Sequence, residues 1–391
     1  MTEGAKLLLT PTLCAGLLGL PLAAMLLTSC LTENTRSPAP ATLKDAYKKD
    51  FPIGVAINEN QFSGKDSRGA AIIQAQFNSI SPENILKWES VHPRADGYAF
   101  EGPDRYVEFG QANKMLIIGH TLVWHHQTPN WVFQDTNGQP VDRETLLQRM
   151  HDHIQTVVGR YKGRIKVWDV VNEALDDNGN LRQSRWMKII GEDYIAKAFQ
   201  YAHQADPAAV LRYNDYSLEK EPKRNGAIAL IKKLQAQGVP VTAIGLQDHV
   251  KLIWPTAEEE DATISAFAKL GLKVMITELD MDTSAGTQRN QNAEINPEVP
   301  APGEANQFTN GLPASVQQQL AGHYADLFGV FVKHRDVVSL VTFWGLTDRD
   351  SWLNSRNRVN HPLLFDRNGQ PKPAFQAVIA AARGGQGVSA H

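Results

Sequence analysis

The chain has 391 residues, 42% hydrophobic and 21% charged, the composition of a globular protein with a large core to bury. Lys+Arg 39 stand against Asp+Glu 42, a formal charge of −3, so no broad basic field is present to hold nucleic acid or an anionic membrane surface. With only two cysteines, a disulfide scaffold and a multi-thiolate zinc site are both excluded, and any metal would have to use His, Asp or Glu.

Both cysteines fall in the first thirty residues. Leu7-Leu8-Leu9 and Leu17-Leu18-Gly19-Leu20 make this stretch apolar, Pro11 and Pro21 break it, and a polar, Pro-bearing run follows over 32–40. The pattern reads as a cleaved export signal rather than a membrane span. Its end, Leu27-Thr28-Ser29-Cys30, resembles a bacterial lipobox, in which the Cys becomes the lipidated first residue of the mature chain. Residues 1–29 are therefore expected to be a lipoprotein signal, and 30–42 a polar tether. Membrane contact would be made only through a lipid on Cys30; plain secretion after cleavage near Ala24 is the alternative.

From Leu43 to Arg383 no low-complexity linker or internal repeat interrupts the chain, so one domain is expected, with 384–391 a short tail. Eight β-rich runs follow in order: 53–57, 77–80, 116–120, 165–171, 210–214, 241–245, 272–277 and 337–343. Helical stretches lie between them, among them 143–158, 192–205, 224–237 and 257–270, the last two ending at Gly238 and Gly271, where a helix C-cap is expected. Alternation of this kind predicts an α/β fold, a (β/α)₈ TIM barrel. A doubly wound sheet is the runner-up, but no Gly-rich phosphate loop follows the first run.

In a barrel, chemistry sits where strands pass into loops at the C-terminal rim. The third run ends in His120, the fourth in Asn172-Glu173, the sixth leads to Gln247 and His249, the seventh to Glu278-Leu279-Asp280, and the eighth to Trp344. Strict alternation places Glu173 on the face of Val167 and Val171, and Glu278 on that of Val274 and Ile276, so both carboxylates are expected to top an inward apolar stack. Such carboxylates must be paired or used. One reading is a salt bridge capping the barrel; the other is a pair facing across the mouth, the arrangement that glycoside hydrolysis needs. Asp169, lower on the inward face, is expected to tune Glu173, with a hydrogen-bonded structural Asp as the alternative. His120, His125, His126 and His249 at one rim offer a competing reading, a metal-dependent hydrolase, but the first run, Ile53 to Ile57, lacks the His-x-His such an enzyme usually carries. No metal and no cofactor are expected.

Five motifs carry a family resemblance. Ser81-Pro82-Glu83-Asn84-Ile85-Leu86-Lys87-Trp88-Glu89, His120-Thr121-Leu122-Val123-Trp124-His125, Trp168-Asp169-Val170-Val171-Asn172-Glu173-Ala174, Thr277-Glu278-Leu279-Asp280 and Phe343-Trp344-Gly345 with Ser351-Trp352 resemble, in order and strand placement, the family-10 glycoside hydrolases, the endo-β-1,4-xylanases. The resemblance implies retaining hydrolysis of internal bonds in xylan, with xylan or xylo-oligosaccharide as substrate. Glu173 matches the acid/base and Glu278 the nucleophile, with the carboxyls about 5–5.5 Å apart. Asn172 matches a residue that bonds the sugar 2-OH, and His249 with Asp280 a pair that orients the nucleophile. Glu83, Asn84 and Lys87 resemble donor-side hydroxyl binders; His120, Trp124 and Gln247 resemble contacts around the cleaved sugar, and Trp344 and Trp352 its aromatic walls. Trp88, Trp168 and Trp186 read as core, while Trp131 and Trp254 stay open. A single barrel is expected to work as a monomer. A surface glycan-binding lipoprotein without catalysis would have had no need to keep both Glu173 and Glu278. Two departures stand out. Asp248 adds a charge between Gln247 and His249, and the segment 283–313, rich in proline, is long for a barrel loop.

Overall fold

The computed structural model describes residues 42–284, 308–355 and 358–383. The expected signal, Cys30, nearly all of the tether, the tail and most of the 283–313 segment lie outside the described residues. The strands are β1 (Ile53–Ile57), β2 (Ser79–Pro82), β3 (Leu116–Gly119), β4 (Val167–Asn172), β5 (Val210–Asp215), β6 (Ala243–Leu246), β7 (His249–Lys251), β8 (Lys273–Asp282) and β9 (Val338–Phe343). All pairings between them are parallel. β1 through β6 pair in sequence, β6 pairs with β8, β8 with β9, and β9 returns to β1 through Ile53↔Val341, so eight strands close a barrel. The short β7 lies outside that ring, against the upper end of β8 in the register His249↔Asp280.

A helix follows each barrel strand, including Ser67–Gln76, Glu101–Ala112, Arg143–Arg160 and Ala314–Lys333. Arg143–Arg160 shows why: Asp142 accepts from the Thr145 N–H at 2.7 Å, and Leu146, Leu147, Met150, Ile154, Val157 and Val158 repeat every three to four residues to give one buried face. Gly238 and Gly271 have φ of 69° and 75°, the left-handed conformation that ends the helices before them. The second strand begins two residues later than expected because Phe77 is still bound to the preceding helix, its N–H donating to Ile73 O.

Two cores result. A large one lies between strands and helices; a small one, Ile118, Val167, Ala243, Met275 and Leu340 from five different strands, fills the barrel interior. The interior becomes polar along its axis. Above the apolar layer come Asp169 and Arg212, and at the C-terminal mouth Asn172, Asn214 and Glu278. Among the described residues no helix is long and apolar enough to cross a membrane.

Candidate active site

The inner core corrects the alternation expected from sequence. Val167 faces the interior, but Val170 and Val171 both belong to the outer core, and the β4–β5 register shifts between Asp169 and Val171. This bulge turns Asn172 inward and leaves Glu173 with φ of 55°, a strained backbone for a residue with a side chain. On β8, Met275 is inside whereas Val274 and Ile276 are outside, and the register to β9 shifts between Ile276 and Leu279. Thr277 and Glu278 therefore both contact Asn214, which strict alternation forbids for neighbours. Each carboxylate reaches the mouth through a strand irregularity and not on top of an apolar stack.

A hydrogen-bonded chain links the two. Glu173 accepts from three neutral donors: Trp124 Nε1 at 2.9 Å, Gln247 Nε2 at 3.0 Å and Asn172 Nδ2 at 3.2 Å. Asn214 Nδ2 lies 2.8 Å from both Asn172 Oδ1 and Glu278 Oε1. Glu278 Oε2 meets His249 Nε2 at 3.2 Å, His249 Nδ1 meets Asp280 Oδ1 at 2.9 Å, and Trp352 Nε1 donates to Asp280 Oδ2 at 2.6 Å. Burial alone favours a neutral His249, but the adjacent Asp280 and Glu278 carboxylates outweigh it and hold the imidazole up at about 9. At neutral pH both ring nitrogens are thus donors, one to each carboxylate. The environments differ in kind. Glu278 receives a proton-bearing cation; Glu173 receives amides and an indole.

The sequence pattern gives no role to Asn214 and Arg212, although both lie in the fifth β-run and Asn214 ends it at the rim, where the same rule applies as for Asn172. Gly245 makes room for Asn214, since a Cβ there would lie 2.2 Å from Asn214 Oδ1. The contacts of Asp169 are likewise different from the tuning expected of it. Its side chain is held by Arg212, through Nε at 2.6 Å and Nη2 at 2.8 Å, and by His120 Nδ1 at 2.9 Å. Burial would raise the Asp169 carboxyl, but Arg212 and His120 override it and bring it down to about 2. Its product is the orientation of His120, whose ring lies edge-on to Trp344 at 5.3 Å.

The other expected sugar contacts border the same mouth. Lys87 Nζ donates to Asn84 Oδ1 at 3.0 Å and sits 5.0 Å from the Trp124 ring centroid. Burial draws Lys87 below the usual lysine range, against the pull of Glu278, Glu173 and Glu83. Burial, then repulsion from Asp350, pushes Glu83 up to about 7, although Lys87 and Asn58 work the other way. Trp352, 37% exposed, packs 4.9 Å from His249 and leaves a flat indole open to a ligand. Trp88, Trp168 and Trp186 are core, as expected. Trp131 joins them in role, its Nε1 donating to Pro93 O and its ring against His92, while Trp254 hydrogen-bonds Lys251 through the backbone.

His120, His125, His126 and His249 do not form a common donor set. His120 and His249 are engaged by Asp169 and Asp280, and burial keeps His125 neutral by driving it down to about 2. Among the described residues the one group of three possible metal-binding side chains is Glu219, Asp248 and Glu260.

The model of glycosyl hydrolase family 10 matches residues 42–381. Endo-1,4-beta-xylanase A of Xylanibacter ruminicola is 41% identical, over 94% of this chain and 97% of that protein. Beta-1,4-xylanase of Dictyoglomus thermophilum is 40% identical, over 89% and 93%. Among solved structures, a GH10 endoxylanase retrieved from sugarcane soil metagenome superposes with a TM-score of 0.80 at 42% identity, covering 87% of this chain and 99% of that one.

Proposed function

The chain belongs to glycosyl hydrolase family 10, and from that premise we propose that it is a retaining endo-β-1,4-xylanase in which Glu278 is the nucleophile and Glu173 the acid/base. The observation that carries the assignment is the difference in partners: Asn214 and the His249 ring, which the Asp280 and Glu278 carboxylates favour as a cation, hold Glu278, whereas among the described residues the side chain of Glu173 has only neutral donors. A cation beside it suits a carboxylate that must be anionic to attack. In the first step a Glu278 oxygen bonds to the anomeric carbon as the glycosidic C–O bond breaks, and the Glu173 proton passes to the leaving oxygen. In the second, Glu173 takes a proton from water, the water oxygen bonds to the anomeric carbon, and the ester to Glu278 breaks. Two inversions give net retention.

In this reading Asn172 bonds the 2-OH of the sugar at the cleaved bond, a contact that tightens as the oxocarbenium-like transition state forms. Glu83, Asn84 and Lys87 form a polar edge for sugar hydroxyls, and Trp124, Trp344 and Trp352 offer flat faces to the C–H sides of the rings. The presence and distinct partners of both Glu173 and Glu278 disfavour a binding protein without turnover. The motif Leu27-Thr28-Ser29-Cys30 further supports export as a lipoprotein anchored through Cys30. The test of the chemistry is Glu173→Ala with an activated aryl xyloside: azide should restore turnover and yield the β-glycosyl azide, because a small anion attacks the glycosyl-enzyme without base help. Identical rates with and without azide would assign Glu173 a structural role.

A further inference from the structure

Beside the turn that carries Gln247 and His249, three carboxylates converge. Glu219 follows β5, Asp248 follows β6, and Glu260 lies in the first turn of the helix Ala257–Ala268; all three are buried, with ligand oxygens within 4.8 Å of one another. Asp248 and Glu260 are wholly inaccessible, and among the described residues no N–H or O–H donor reaches either side chain or Oε2 of Glu219; Asp248 lies within hydrogen-bond reach of Glu219, so only a proton shared between those two could join them, and Glu260 has no hydrogen-bond partner at all. Arg224 is the cation beside them, but its Nη1 is spent on Glu219 O at 2.9 Å and Thr263 Oγ1 at 3.0 Å. Buried carboxylates without donors are costly, and three together repel one another.

We propose that Glu219, Asp248 and Glu260 form a structural Ca²⁺ site. The donors are all carboxylate oxygens, the set preferred by a hard divalent cation, and Mg²⁺, which gives up its waters reluctantly, suits a dry pocket less. Two ligands on opposite sides of a Ca²⁺ at 2.3–2.6 Å stand roughly 4.6–5.2 Å apart, a span that the 4.8 Å grouping fits. Charge also closes: the ion offsets two of three negative charges, and Arg224 faces the third. The site does not rest on the assignment of Glu173 and Glu278, and no catalytic step passes through it. Its effect is positional. Asp248 has a left-handed φ of 54° and stands between Gln247, which holds Glu173, and His249, which holds Glu278. An ion on Asp248 locks that turn, and its loss releases the like charges directly beneath both contacts.

The experiment uses the purified mature enzyme. Elemental analysis after gel filtration should find about one Ca²⁺ per chain, as a dry all-carboxylate site implies. EDTA should lower Tm and reduce kcat on an aryl xylobioside, and added CaCl₂ should restore both, Tm rising with the logarithm of Ca²⁺ concentration above its Kd. Glu260→Gln should retain no Ca²⁺ and show the same Tm in EDTA and CaCl₂. A wild-type protein purified without bound metal, with one Tm in EDTA and in millimolar CaCl₂, would overturn the site and mean that the three carboxyls share protons instead. Should Glu260→Gln fail to fold, the wild-type metal content and its EDTA response still decide. A Glu260→Gln protein that keeps its Ca²⁺ response would also overturn the assignment.

Discussion

Asn214 is fixed from one side and works on the other: Thr277 Oγ1 donates to its Oδ1 at 2.7 Å, and its Nδ2 stands 2.8 Å from Glu278 Oε1. The bond from Thr277 sets which way the amide points, so a donor and not an acceptor faces the nucleophile. Asn214→Ala is expected to lower kcat/KM by about 10- to 100-fold, the size of a lost hydrogen bond to a charged group. Asn214→Asp should do more harm, since it sets a second anion against Glu278. Steady-state kinetics on an aryl xylobioside checks this; equal rates for Asp and Ala variants would mean that the amide does not face Glu278.

The buried pair below it carries stability. Arg212→Met leaves Asp169 buried without its main partner and is expected to cost about 3–5 kcal/mol, whereas changing both residues to apolar ones should recover much of the loss. Because Arg212 and His120 hold the Asp169 carboxyl down at about 2, its stabilising share is present above the ordinary aspartate range near pH 4 and is lost as pH falls through about 2. Urea unfolding of wild type and Asp169→Asn across pH 2–5 measures it: only the wild type should show the full acid loss.

The barrel was legible in the sequence because eight β-runs alternate with helical stretches, and the rim residues because barrel strands end at the chemistry. What pattern reading could not supply was the path by which Glu173 and Glu278 get there. Period-2 alternation assumes a regular strand, and the bulge near Val170 and the irregularity at Thr277–Leu279 each shift the faces by one residue. Arg212 and Asn214 lie in a run whose Val, Leu and Tyr speak for a strand, and composition alone says nothing of the polar partners that two of its residues meet inside the barrel. Asp169 was placed inward correctly, but its partner, Arg212 on the adjacent strand, becomes visible only when the β4–β5 register aligns the two.

Binding on the donor side should depend on pH through Glu83. Burial and Asp350 keep its carboxyl protonated up to about 7, and a bound sugar removes water and makes ionisation dearer still. KM for an aryl xylobioside is expected to rise as pH passes through 7, and Glu83→Gln should flatten that rise while leaving the fold intact. A wild-type KM with no inflection in this range would place the titration elsewhere.

Fractionation tests the address. Wild type should partition with membranes, and Cys30→Ser should shift the protein to the soluble fraction or block its processing, since one lipidated residue is an anchor and not a span. Wild type recovered wholly in the soluble exported fraction would favour plain secretion.

The central claim, that Glu278 forms a covalent glycosyl-enzyme, is tested most directly by mass spectrometry of the enzyme treated with an activated 2-deoxy-2-fluoro aryl xylobioside, whose fluorine slows release of the intermediate by destabilising the oxocarbenium-like transition state. The account predicts a mass increase of one fluorinated xylobiosyl group per chain, located after proteolysis on the peptide bearing Glu278 and absent from Glu278→Gln. A label on another carboxylate, or rapid turnover of natural substrate by Glu278→Gln, would contradict it.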